Sequence, residues 1–230
     1  MESVYVSPDG SGREAPEVRA AWDAGVRVYD LEPGVLERVA GTVTPQPVLA
    51  VVGMEETGIG DLSGSGPVIV CVDVRDPGNL GTILRSAEAS GAAGVVCCDG
   101  TVDVYNPKCV RASAGALFHV GVVSGGAPAA VLEALGSAGR RRLGSAIGAG
   151  TSYEEVDLAA PFALVLGNEA RGLPDTLASW LDGVVTIPME GRSESLNVGM
   201  ACAVLCFEAA RQRRHRSGTF VAAAAAGVVG

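Results

Sequence analysis

Residues 68–98 read VIVCVDVRDPGNLGTILRSAEASGAAGVVCC. The opening run, Val68–Asp73, is almost wholly apolar and predicts a strand. A Pro77-Gly78 turn follows, then a helix over Asn79–Ser90 with Leu80, Ile83, Leu84 and Ala87 at helical spacing. Gly94–Cys98 is a second apolar strand. Strands without polar alternation are covered on both faces, and a helical crossover lays them parallel.

The same alternation continues outward. Further strands are predicted at Phe118–Val123, Arg142–Ile147, Ala163–Gly167 and Val184–Ile187, with helices at Asn106–Ala114, Pro128–Ser137, Pro174–Leu181 and Ser195–Arg214. This is an α/β fold, a mostly parallel sheet with helices on both faces. Ligands in such sheets bind at the carboxyl ends of the strands. Upstream, residues 1–56 read as a small α/β module, with strands at Ser3–Ser7, Val26–Tyr29 and Val48–Gly53 and short helices opened by Pro16 and Pro33. Residues 57–66, TGIGDLSGSG, have a linker's composition. Residues 67–217 form the main domain, and 218–230 are a low-complexity Ala-rich tail.

A chain of 230 residues has room for one such domain and a small appendage. The 48% apolar content supports a full core. No apolar run reaches about 18 residues, so no membrane span is expected. The start lacks a basic-then-apolar signal pattern, and a cytoplasmic protein is expected. The cysteines show no CxxC or Cys/His spacing, so they read as buried thiols, with no metal. Net charge is −9, with 4 basic and 10 acidic groups in residues 1–60. Basic clusters at Arg140–Arg142 and at Arg211, Arg213, Arg214 and Arg216 read either as solvated faces or as local nucleic-acid patches.

Several chemistries are disfavoured. No GxGxxG follows a strand, and GxxxxGK[ST], HExxH and GxSxG are all missing. Only His119 and His215 are available, which makes a Ser-His-Asp mechanism a poor fit.

Three strand ends carry polar groups instead. The first is Asp73 to Arg85. Asn79 reads as a helix N-cap, and six residues return Arg85 to roughly the same face of an otherwise apolar helix. In the second, LVLGNEARGLP (164–174), Gly167 lets backbone approach a ligand and Glu169 stands at the strand mouth. The third, IPMEGRSESLNVGMA (187–201), reads as a strand, a loop, Ser195 as N-cap and Asn197 in the first helical turn.

DVRDPGNLGTILRSAEASGA (73–92), FALVLGNEARGLP (162–174) and VTIPMEGRSESLNVGMACAVLCFEAARQR (185–213) together closely resemble the SpoU (TrmH-like) branch of the SPOUT RNA 2′-O-ribose methyltransferases, in order and spacing. The resemblance spans roughly residues 67–214. It implies a C-terminal trefoil knot whose loops bind S-adenosylmethionine, an RNA substrate with rRNA favoured over tRNA, and a homodimer whose sites draw on both chains. It implies that Gly167, Ile187, Met189 and Leu196 hold the cofactor. Arg85 matches the family's catalytic arginine, and Asn79, Glu169, Ser195 and Asn197 match its polar site residues. Cys202, Val204 and Leu205 are implied at the interface.

Two departures accompany the match. Position 199 is Gly where relatives carry a small polar residue. Residues 1–56 resemble only the latter part of a ribosomal-protein-like RNA-recognition domain. Two other functions compete with the methyltransferase: an idle RNA-binding protein that kept the fold, and a methyltransferase with a non-RNA substrate.

Overall fold

The computed structural model describes residues 1–8, 12–40, 45–54 and 56–218. The Ala-rich tail, apart from Gly218, lies outside the described residues. The chain divides into two compact units, Met1–Glu56 and Thr57–Gly230.

The first unit holds β1 (Ser3–Val6), α1 (Pro16–Asp23), β2 (Arg27–Asp30), α2 (Val35–Val39) and β3 (Val48–Val51). Its sheet runs β2-β1-β3, with β1 parallel to β2 and antiparallel to β3. Val4 and Val6 alternate inward and meet Val18 and Ala21 of α1. On β2 the exposed Arg27, Tyr29 and Asp30 carry an ion pair to Arg13 and a stacked Tyr5–Tyr29 pair.

The second unit contains β4 (Val68–Cys71), α3 (Pro77–Ala89), β5 (Gly94–Cys97), α4 (Pro107–Ala112), β6 (Val122–Ser124), α5 (Pro128–Ser137), β7 (Arg141–Ser145), β8 (Thr151–Ser152), β9 (Phe162–Leu166), β10 (Gly183–Thr186) and α6 (Val198–Ser217). These seven strands form one sheet in the order β6-β5-β4-β9-β7-β10-β8. Every pairing in it is parallel. Strand β4 shows why its sequence is unbroken in apolar character. Ile69 and Cys71 enter the core under α3 and α6, while Val68, Val70 and Val72 enter the core under α5. Each such fully buried side chain contributes about 1.5–3 kcal/mol.

Several expectations change. Phe118 is exposed and ends a 3-10 turn, Ala116–Phe118, opened by left-handed Gly115; the strand begins only at Val122. Asp175–Trp180 is also 3-10 rather than α-helical. Strand β8 was not anticipated, because two residues carry no periodicity. Residues 57–66, linker-like in composition, belong to the second unit. Leu62 is buried against α5, and the buried Arg140 guanidinium donates to the carbonyls of Leu62, Gly64 and Gly66. Both basic clusters are thereby largely structural. Arg142 pairs with Asp182, Arg213 donates to the Ser90 carbonyl at the end of α3, Arg211 pairs with Glu208 and Arg216 with Asp157. All six cysteines are buried and free. Among the described residues no helix is long and apolar enough to cross a membrane.

The Arg142–Asp182 pair, between neighbouring β7 and β10, gives the fold an acid response. Hydrogen bonds from the Arg142 side chain and backbone hold the Asp182 carboxyl down at about 2, against an ordinary 3.8. A depressed carboxyl stabilises the fold above its unfolded value and loses that contribution as pH falls through the folded one. Asp182→Asn is therefore expected to flatten the loss of stability between about pH 4 and pH 2. The pair is partly exposed, so the effect is at most about 1 kcal/mol. Denaturant melts across that window measure it.

Candidate active site

Three loops leave the carboxyl ends of β4, β9 and β10, and three side chains link them. Asp76 caps α3, its carboxylate accepting from the Asn79 amide at 2.9 Å, with Pro77 in the first helical position. Asn79 is therefore not the cap, and its side chain is free for other partners. Its Nδ2 donates to Glu169 Oε1 at 2.9 Å, and its Oδ1 accepts from Asn197 Nδ2 at 2.8 Å. Asn197, rather than Ser195, caps α6, its Oδ1 accepting from the Gly199 and Met200 amides. One Glu-Asn-Asn line thus ties all three loops together.

Glu169 also accepts from the Asp76 and Arg75 backbone amides. Partial burial pushes its carboxyl up, but the hydrogen bonds from Asn79 and the backbone outweigh it, and the group sits below the ordinary glutamate value. Such a carboxylate is anionic near neutrality and a poor proton acceptor. Its arrangement suits holding Asn79 in place.

A cavity of about 590 Å³ lies behind this line. It is within the size range of small-molecule sites. Gly167, Ile187, Met189 and Leu196 all line it, as do Glu169, Ser195 and Asn197. The β9 turn is glycine by necessity: a Cβ on Gly167 would meet the Gly172 carbonyl carbon at 2.3 Å. Asn168 and Gly172 bridge the turn with backbone hydrogen bonds of 3.1 and 2.8 Å. The lining combines polar residues such as Asn168, Glu169 and Ser195 with an apolar wall of Leu173, Leu181 and Val184. That combination fits a nucleoside with an apolar or sulfonium-bearing arm, so the residues present suit S-adenosylmethionine. Sequence reading missed the contribution of Ser145, Ala146 and Ile147 at the end of β7, whose only signal was the glycine pair at 148 and 150.

Arg85 does not line the cavity. It projects from the exposed stripe Thr82–Arg85–Ala89, about 120° around α3 from Asn79 rather than beneath it. Among the described residues its guanidinium has no hydrogen bond or ion pair. Gly199 has a local explanation: a Cβ there would meet Thr82 Cγ2 at 2.9 Å, where α6 crosses α3.

Comparison with known proteins follows the same residues. The model of the SpoU rRNA Methylase family matches residues 66–207. The chain belongs to this family. The 23S rRNA (guanosine(2553)-2′-O)-methyltransferase RlmP of Bacillus subtilis is 37% identical over 185 residues, 80% of this chain and 73% of that enzyme. The 23S rRNA (guanosine-2′-O-)-methyltransferase RlmB of Xanthomonas axonopodis is 36% identical, covering 82% and 79%. Against the 23S rRNA (uridine(2479)-2′-O)-methyltransferase of Streptomyces viridochromogenes the identity is 38%, over 60% of this chain and half of that one. Among solved structures, the SpoU methyltransferase AviRb from S. viridochromogenes in complex with AdoMet superposes with a TM-score of 0.79 at 30% identity, over 92% of this chain and 83% of that chain. Together with the parallel sheet, these matches make this SpoU-family chain an α/β methyltransferase of the SPOUT class that uses S-adenosylmethionine.

Proposed function

We propose that this protein methylates a ribose 2′-hydroxyl of ribosomal RNA with S-adenosylmethionine as donor. The observation that carries the reading is the Glu169–Asn79–Asn197 line, which joins three motif loops at the rim of a nucleoside-sized cavity. The sulfonium supplies an already activated methyl group when bound. Gly167, Ile187, Met189 and Leu196 hold the donor through backbone and apolar surface. Ser195 and Asn197 orient the ribose at the rim, and Glu169 keeps Asn79 aligned. Arg85 binds the phosphate beside the target ribose and assists loss of its hydroxyl proton to solvent water. A guanidinium is normally fully protonated, so it acts through charge and hydrogen bonding rather than as a ready base.

The chain order supports the knot that the family resemblance implies. Strand β9 is inserted between β4 and β7, two strands laid down before it. Residues 1–56 act as an RNA-recognition module.

The working unit is a homodimer. Cys202 and Leu205 cannot contact a partner, since both lie in the chain's own core. Met200, Val204 and Phe207 instead form a stripe along α6, with Met200 59% and Phe207 48% exposed. Phe207→Glu is expected to convert dimer to monomer in sedimentation and to reduce methylation by at least about tenfold, since a charge buried at an interface centre costs about 2 kcal/mol or more. A dimer of full activity would remove α6 from the interface.

Mapping ribose methylation across rRNA with and without the gene tests the reaction assigned. A single 2′-O-methyl mark that disappears with the gene is the expected result, and an unchanged map is the opposing one.

A further inference from the structure

Most arginines of the two sequence clusters are engaged by partners within the chain. A second arrangement of cations stands beside the Glu169 line. The Asp73 carboxylate accepts from Arg75 Nε at 2.7 Å on one oxygen and from Arg171 Nη2 at 2.6 Å on the other. One arginine comes from the β4 loop and the other from the β9 loop. Asp73 is itself anchored, its carbonyl accepting from Asn168 Nδ2 at 2.9 Å. It is one of two described non-glycine residues with positive φ, at 56°.

A purely structural role accounts poorly for this geometry. Both arginine side chains are 67% exposed. Exposed ion pairs contribute at most about 1 kcal/mol, so these two account for little of the fold's stability. Each guanidinium gives one of its five donors to Asp73, and Arg171 also lines the cofactor cavity. The Arg75 backbone amide meanwhile donates to Glu169 Oε2. Arg75 is thereby tied through its backbone to the carboxylate that aligns Asn79.

We propose that Arg75 and Arg171 form a binding site for a backbone phosphate of the RNA substrate, with Asp73 as the positioning residue that holds the two guanidinium groups on either side of it. This rests on the RNA-methyltransferase reading above. It adds a subsite distinct from Arg85.

The test uses the full chain and unmodified 23S rRNA transcript as probe, with affinity measured across a salt series. Arg75→Gln and Arg171→Gln are each expected to weaken binding about three- to tenfold. The double variant should lower the slope of log affinity against log salt by about 0.7–0.9, the value of one phosphate contact. S-adenosylmethionine affinity, read by calorimetry, should stay within about twofold in Arg75→Gln and Asp73→Asn, since neither Arg75 nor Asp73 lines the cofactor cavity, whereas Arg171 does line it. Asp73→Asn discriminates position from charge, since asparagine tolerates the left-handed backbone. Removing a negative charge beside two arginines should tighten RNA binding if charge alone acts. A positioning role predicts weaker binding, by about threefold or more. An unchanged salt slope in the double variant with cofactor binding intact overturns the phosphate site and leaves the methyltransferase reading standing. Tighter binding by Asp73→Asn overturns the positioning role. Wild-type protein that binds cofactor but no RNA overturns both this site and the assignment of RNA as substrate.

Discussion

Arg85→Ala is expected to lower kcat for methyl transfer by about 10²–10⁴-fold while leaving S-adenosylmethionine affinity within about twofold. The size follows from what a positioned group contributes when it assists proton removal from a weak nucleophile. The selectivity follows from the structure. Arg85 is exposed on α3, has no partner among the described residues and does not line the cofactor cavity. Its loss should cost the fold no more than about 0.5 kcal/mol, as for other surface changes. Single-turnover transfer to rRNA, paired with calorimetry, separates the two quantities. Parallel loss of transfer and cofactor affinity would refute the role, because it would place Arg85 in the cavity wall.

Gly167→Ala should have the opposite signature, losing cofactor first. The new methyl would lie 2.3 Å from the Gly172 carbonyl carbon, 2.4 Å from its oxygen and 2.5 Å from the Leu173 nitrogen. All three are backbone atoms, so the turn itself must open. Opening breaks the Asn168–Gly172 bridge and displaces the cavity-lining residues Gly167 to Glu169 and Gly172. Overpacking of this kind costs about 1–3 kcal/mol. We expect affinity for S-adenosylmethionine to fall by at least about 100-fold, with a lower melting temperature. Gly191→Ala is the control, since a Cβ there meets nothing within 4 Å. Retention of cofactor affinity within about threefold in Gly167→Ala would show that the β9 turn does not hold the ligand.

The parallel sheet was legible because burial on both faces removes polar residues from the strands themselves. Val68–Cys71 and Phe162–Leu166 carry that signal without ambiguity. Helix starts were less so. Asn79 and Ser195 are both good caps by type, yet Asp76 and Asn197 do the capping. Pro77, read from sequence as part of a turn, occupies the first helical position after Asp76. Asn79 was available to Glu169 only because a neighbour had taken the cap, which depends on a residue ninety positions away.

Charge was the least legible feature. A cluster such as Arg140–Arg142 looks like a basic patch until its partners are known. Those partners are carbonyls at 62–66, the Asp157 carbonyl and Asp182, all distant in sequence. Exposure along α6 followed the same pattern. Cys202 and Leu205 belong to the core while Met200 and Phe207 face out, a rotation that only the packing of α3 on α6 decides.

The claim that organises these residues is that one chain brings three strand-end loops together to pass a methyl group to a ribose oxygen. The direct measurement incubates unmodified rRNA with the protein and tritiated S-adenosylmethionine, digests the RNA to nucleosides and locates the label. The account predicts label in a single 2′-O-methyl nucleoside, absent with Arg85→Ala. Label in a base or in protein, or undiminished ribose label with that variant, would contradict it.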